Sequence, residues 1–269
     1  MRNSNVVTIV ASVALATAML AGARNACAAF GDYFDGHSAP SLLDGQGGWG
    51  AAQAGVGETT AGIEVIAGAS PQSPPNVVRI TDNDALGHGI RHFLTEPETG
   101  YVSFKARTLV DNLNNNSGFR MHINAIPSDD SYQPSTFFQL GFSPGGPDLI
   151  WFDGASVQTV PGVVNLNDWY QFDLYYDISS HANPNPLLRQ SIVRTKVVNL
   201  DTSAVVWQTN LVYGSQVGDR THIGDIQFFT GSTHQPSLFE LDDVVVPEPS
   251  SVALALGAAG LLGLRRRRH

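Results

Sequence analysis

Gln171-Phe172-Asp173-Leu174-Tyr175-Tyr176-Asp177-Ile178 decides the architecture. In an extended chain Phe172, Leu174, Tyr176 and Ile178 share one face, while Gln171, Asp173, Tyr175 and Asp177 share the other. Val102, Phe104 and Ala106 alternate in the same way with Ser103, Lys105 and Arg107. Working outward, strand-like runs cover Asn76–Thr81, His88–Leu94, Gly118–Ala125, Thr136–Phe142 and Asp148–Asp153. Further runs cover Ile192–Asn199, Ala204–Gln208, Gly224–Thr230 and Leu238–Val246. Glycine, proline, asparagine and aspartate punctuate them, as in 111–118, 143–147 and 179–186. No internal window carries a helical stripe, and no repeat favours a propeller or solenoid. Short strands separated by turn signals predict an all-β fold, a two-sheet antiparallel β-sandwich formed by one domain over residues 29–246.

Composition agrees. The chain has 269 residues, 42% hydrophobic and only 14% charged, with 27 glycines. It is too apolar for a disordered chain and too poor in charge for coiled coils or helix bundles. A net charge of −9 repels phosphate, so nucleic acid is excluded as a partner.

The two ends read differently from the body. Arg2 precedes an apolar, alanine-rich run over residues 6–21, and Ala26-Cys27-Ala28 offers the small-x-small pattern of signal peptidase. The expectation is a signal peptide over residues 1–28, helical in its apolar part and cleaved before Ala29. Its loss removes Cys27, the sole cysteine, so no disulfide staples the body. At the other end, Val246-Pro247-Glu248-Pro249-Ser250 leads into an apolar stretch over 252–264, closed by Arg265, Arg266, Arg267 and Arg268. Thirteen helical residues rise about 20 Å, short of a bilayer core of roughly 30 Å. Flanking serines and snorkelling arginines extend that reach, and the positive-inside rule keeps the arginines cytoplasmic. Removing both ends takes six of fifteen basic residues and one of 24 acidic ones, leaving a body of net charge −14.

The triplet Pro247, Glu248 and Pro249, the apolar helix and the arginine tail, taken in order, resemble the PEP-CTERM sorting signal of Gram-negative bacteria. That resemblance implies that residues 247–269 are recognised and removed by an exosortase-like enzyme. The protein would then be held in the inner membrane during transit and reach the cell surface or its exopolysaccharide matrix. The body adds a second likeness. Phe30-Gly31-Asp32-Tyr33-Phe34-Asp35, with residues 43–49 after it, resembles the opening of bacterial concanavalin A-like (laminin G-like) jelly-roll domains. Residues 239–246 look like their closing strand, and Asn167-Asp168-Trp169-Tyr170 like the start of a mid-domain strand. This second likeness implies a jelly roll with its first and last strands side by side and a structural calcium between them. Asp32, Asp35, Asp242 and Asp243 are its candidate ligands, oxygen donors of the kind calcium takes. Only one of the adjacent pair Asp242 and Asp243 faces such a site, because neighbours on a strand point apart.

Catalytic motifs are scarce. Glu240-Leu241-Asp242 invites comparison with the Glu-x-Asp-x-Glu motif of jelly-roll glucanases, which need two carboxylates about 5 to 5.5 Å apart. Positions 244 and 245, where the second glutamate would fall, are valine. Other carboxylates such as Glu58, Glu64, Glu96 or Glu98 remain available to meet in space. Gly45-x-Gly47-x-x-Gly50 follows no apolar strand and opens no helix, so it lacks the context of a dinucleotide fingerprint. His88 and His92 share a strand face without the glutamate of a zincin. Trp49, Trp151 and Trp169 are candidate glycan platforms, since sugar C–H faces stack on aromatic rings. The expected function is a non-catalytic, glycan-binding or structural surface protein with extracellular polysaccharide as partner. The alternative is a secreted polysaccharide-active enzyme, a glycoside hydrolase or lyase.

Overall fold

Period-two alternation buries one face of a strand, and two such sheets satisfy each other by packing apolar face to apolar face. The computed structural model describes residues 28–247, except 53–57, 69–71, 73, 83–86, 95–97, 110–117, 128–134, 144–145, 147, 153–155, 180–190, 214–219 and 232–236. Among the described residues are two antiparallel sheets and no α-helix.

With strands numbered along the chain, the first sheet runs β15 (Ala204–Tyr213), β14 (Ser191–Asn199), β13 (Tyr170–Asp177), β8 (Thr99–Thr108), β17 (Ser237–Pro247), β6 (Asn76–Asp82), β5 (Ile63–Ala67) and β2 (Ser41–Leu42). The opening strand β1 (Ala28–Asp32) also pairs with β17. The second sheet runs β12 (Val157–Val160), β11 (Leu149–Phe152), β10 (Ser135–Phe142), β9 (Phe119–Pro127), β16 (Arg220–Thr230), β7 (Gly87–Phe93) and β3 (Trp49–Ala51). The two-residue β4 (Glu58–Thr59) joins β7 in parallel. Every long run expected from alternation is a strand. The strands with no signature of their own, β1 to β4 and β12, are five residues or fewer, too short for a period to register.

Phenylalanines from both sheets fill the interface. Phe104 of β8 stacks on Phe172 of β13 at 4.6 Å and meets Phe228 of β16 edge-on at 5.1 Å. Phe119 of β9 lies 5.5 Å from Phe239 of β17. Each such buried ring contributes about 1.5–3 kcal/mol relative to exposure, which suits a body with no disulfide.

β17 is the hub of the first sheet. One of its edges pairs with β8, while the other pairs with β6 over 237–241 and with β1 over 244–247. The changeover falls on Asp242 and Asp243, where the β8 register shifts and Asp243 takes φ +49°. Aspartate tolerates that left-handed region better than bulkier residues do. The glycine-rich segment at 45–48 is a turn into β3, with φ of +82°, +56° and +86° at Gly45, Gly47 and Gly48. Its glycines therefore serve chain reversal.

Candidate functional site

The second sheet turns a chemically dense face away from the core. In β9 the buried series Phe119, Met121, Ile123 alternates with Arg120, His122 and Asn124. In β16 Ile226 and Phe228 alternate with Asp225, Gln227 and Phe229. Register then sets these outer residues side by side. Asn124 pairs with Asp225, His122 with Gln227, and Arg120 with Phe229. On the far side of β16, Asp225 pairs with Phe93 and Gln227 with Arg91, while on the far side of β9, His122 pairs with Gln139.

Asp225 is fully buried and accepts hydrogen bonds from Asn124 Nδ2 at 2.6 Å and Gln227 Nε2 at 3.5 Å. His122 Nε2 lies 3.0 Å from Gln139 Oε1, and its ring meets Phe229 edge-on at 4.3 Å. Burial pushes the His122 pKa down to about 3, and the neighbouring Arg120 charge acts in the same direction. The imidazole is thus neutral at ordinary pH. Burial also lowers the Arg120 pKa. Arg120 Nε and Gln139 Nε2 are buried without a hydrogen-bond partner. At the rim, Phe93 is 52% exposed and the Arg91 guanidinium lies over its ring at 4.4 Å. The face thus combines an accessible aromatic ring with a row of amide and guanidinium donors. Among these described outer residues of β7, β9, β10 and β16, Asp225 is the only carboxylate, so they supply no carboxylate pair of the retaining type.

The residues singled out in the sequence lie elsewhere. β1 and β17 do run side by side, but the aspartates near them have separate partners. Asp32 accepts from the Phe34 amide at 2.8 Å, His37 Nε2 at 2.7 Å and Trp49 Nε1 at 2.8 Å. Asp35 is exposed and receives only a long contact, 3.4 Å, from the Asn76 amide. Buried Asp242 accepts from the amides of Gln72 and Asp243, while Asp243 pairs with Lys105. N–H donors thus occupy both oxygens of Asp32 and of Asp242, while Asp243 Oδ1 is buried without a hydrogen-bond partner. Among the described residues no group of three or more metal-ligating side chains assembles.

Trp49 and Trp169 are each only 2% exposed, so neither ring has a face to offer a sugar. Trp169 sits under the Arg107 guanidinium at 4.8 Å. Trp151 is half-buried and packs on Trp207 at 5.3 Å, joining β11 of one sheet to β15 of the other. His88 is buried with Nδ1 against the Ala61 carbonyl, and His92 is half-buried with Nδ1 2.8 Å from the Phe93 carbonyl. Glu240 is fully buried between Arg79 and Arg107, each within 2.7 Å of one of its oxygens. Pro247 closes β17 opposite Ala28, whereas residues 1–27, Glu248, Pro249 and Arg265 to Arg268 lie outside the described residues. The outer-face residues Phe93, Arg120, His122, Asn124, Asp225 and Gln227 carried one sequence signal. The polar positions of β9 and β16 hold arginine, histidine, amides and a carboxylate, where a plain solvent face would carry lysine, serine or threonine.

Comparison with known proteins gives one sequence match and a set of structural ones. The PEP-CTERM protein-sorting motif matches residues 245–268. No curated protein matches the sequence. Peanut lectin is 12% identical with a TM-score of 0.48, covering 81% of this chain and 95% of its own. The globular domain of Trypanosoma cruzi calreticulin is 9% identical with a TM-score of 0.49, covering 89% and 95%. A carbohydrate esterase from the Shiga toxin-encoding bacteriophage phi24B is 12% identical with a TM-score of 0.49, covering 81% and 97%. The chain is a two-sheet antiparallel β-sandwich that carries a PEP-CTERM sorting motif, the mark of an exported protein processed by an exosortase.

Proposed function

We propose that this protein binds glycan chains on the outer face of its second sheet, without cleaving them, after export to the cell surface or exopolysaccharide matrix of a Gram-negative bacterium. The observation that carries the reading is the exposed Phe93 ring beside a buried row of hydrogen-bonding groups. A sugar presents apolar C–H faces to a ring and hydroxyls to amides, and this face offers both within one strand pair. The lone carboxylate, held by two amide donors, supports binding over hydrolysis. Export rests on the sorting motif, with signal cleavage before Ala29 and processing near Pro247-Glu248-Pro249 as the expected steps.

The test is a polysaccharide panel read for both retention and release of reducing sugar. Retention without release supports the proposal. Reducing ends appearing with wild-type protein would establish the enzyme instead.

A further inference from the structure

We propose that a second copy of this chain pairs antiparallel with the outer edge of β15, joining the first sheets of two bodies into one continuous sheet.

Charge and length single out this edge. An edge strand offers a row of N–H and C=O groups to any other chain, and proteins blunt such edges with short strands, charges or proline. Three sheet margins among the described residues follow that rule, since β2, β3 and β12 are two, three and four residues long. The fourth does not. β15 pairs with β14 alone among the described strands, and its ten residues include no glycine, proline or charge. No charged residue occurs anywhere between Asp201 and Asp219. Two bodies of net charge −14 repel each other over most of their surface, and this neutral strip is where they can approach. The nearest cations, exposed Arg194 and Lys196, stand one strand further in, on β14. Across a β15–β15 pair the two β14 strands lie roughly 14 Å apart, beyond a Debye length of about 8 Å.

The strand also complements itself. Along the chain it reads apolar at 205–207, polar at 208–210 and apolar at 211–213. Pairing about a two-fold axis at Thr209 sets Gln208 against Asn210, Trp207 against Leu211 and Val206 against Val212 of the second copy. Amide meets amide, and apolar residue meets apolar residue. The ladder to β14 is unbroken from Trp207 to Tyr213, so the strand is regular where the pairing centres. The side of the sandwich beneath it is apolar as well. Trp207 packs on Trp151 of β11, which brings the β15 and β12 margins together, and Val205 and Val157 on those margins are each 49% exposed. Ten residues at about 3.4 Å each, on sheets stacked about 10 Å apart, give a side of up to about 700 Å² per copy. A stable interface takes roughly 800 Å² from each partner. Opposite residues in a ladder share a face, so the outer faces of both second sheets would point the same way. A dimer would then offer two such faces to one polysaccharide. That consequence rests on the glycan-binding reading above, whereas the pairing does not.

The test is sedimentation of the protein expressed from the full sequence and purified from the cell envelope, with no polysaccharide present. Wild type should sediment as a dimer. Q208E/N210E and Q208K/N210K each set like charges opposite one another across the axis, at exposed positions that leave the core untouched. Each variant should weaken dimerisation at least tenfold, and mixing the two should restore it. T209C in a C27S background gives a reading free of added charge. Directly opposed Cα atoms about 4.5–5.5 Å apart suit a disulfide, so mild oxidation should link two copies. A wild type that stays monomeric at every concentration would overturn the proposal. So would a dimer that both charge variants leave intact, or T209C that remains unlinked under oxidation.

Discussion

At the residue scale, burial decides what each polar group does. His122 is held neutral, with a folded pKa of about 3 against an ordinary 6.5. The unfolded chain therefore takes up a proton near pH 6.5 that the folded chain refuses until near pH 3. This contribution to stability is fully present above pH 6.5 and is lost as pH falls towards 3, with a slope of up to about 1.4 kcal/mol per pH unit. Half-buried His92, whose pKa burial also lowers, acts in the same direction. Urea melts at pH 7 and pH 5 should show the loss, and His122→Gln should remove part of it. Tyr176 gives a prediction of opposite sign. Its buried hydroxyl has no hydrogen-bond partner and crowds Gly100, so Tyr176→Phe should raise stability by about 1 kcal/mol in the same assay. None of this was legible in the sequence. Phe172, Leu174 and Tyr176 read alike as core positions, and alternation does not say which hydroxyl goes unpaired.

At the element scale, period two identified the long strands, because eight to eleven residues repeat the pattern several times. The same rule distinguishes inside from outside without naming partners, and here the candidate sites diverged. Trp49 and Trp169 are buried, and Trp151 is half-buried in contact with Trp207. The aspartates of β17 serve a register change between β6 and β1. Which outer positions of β9 and β16 become neighbours depends on pairing 101 residues apart for Asn124 and Asp225, a contact no local pattern contains. Strand β17 also carries ion pairs, at Glu240 and Asp243. Removing the carboxylate in Glu240→Ala leaves buried Arg107 beside Arg79 uncompensated, and should cost about 3–5 kcal/mol in a denaturant melt. Phe228→Ala, at the meeting point of three aromatic contacts, should cost a similar 3–5 kcal/mol. Calcium should leave the melting temperature unchanged, with or without chelator, since N–H groups already occupy the oxygens of Asp32 and Asp242. A calcium-dependent rise would mean that those donors give way.

At the scale of the whole molecule, both chain ends leave the sandwich together. Ala28 pairs with Pro247, so the expected signal-cleavage point and the first residue of the Pro-Glu-Pro triplet share one end of the β1–β17 ladder. The sorting motif, starting at residue 245, begins inside the last strand. Intact mass of the protein recovered from the envelope should correspond to a chain that lacks residues 1–28 and ends near Pro247-Glu248-Pro249. Deleting Arg265 to Arg268 should weaken retention at that processing step. The C-terminal sorting motif was readable because an address is a local pattern, whereas the candidate binding face is a product of topology. The central claim, that the outer face of the second sheet is where glycan binds, is tested most directly by polysaccharide retention of wild type, Phe93→Ala and Trp151→Ala side by side. Loss of retention at least tenfold in Phe93→Ala, with Trp151→Ala close to wild type, is the predicted result. Retention that survives Phe93→Ala and disappears in Trp151→Ala would contradict it and move the site to the edge of the sandwich.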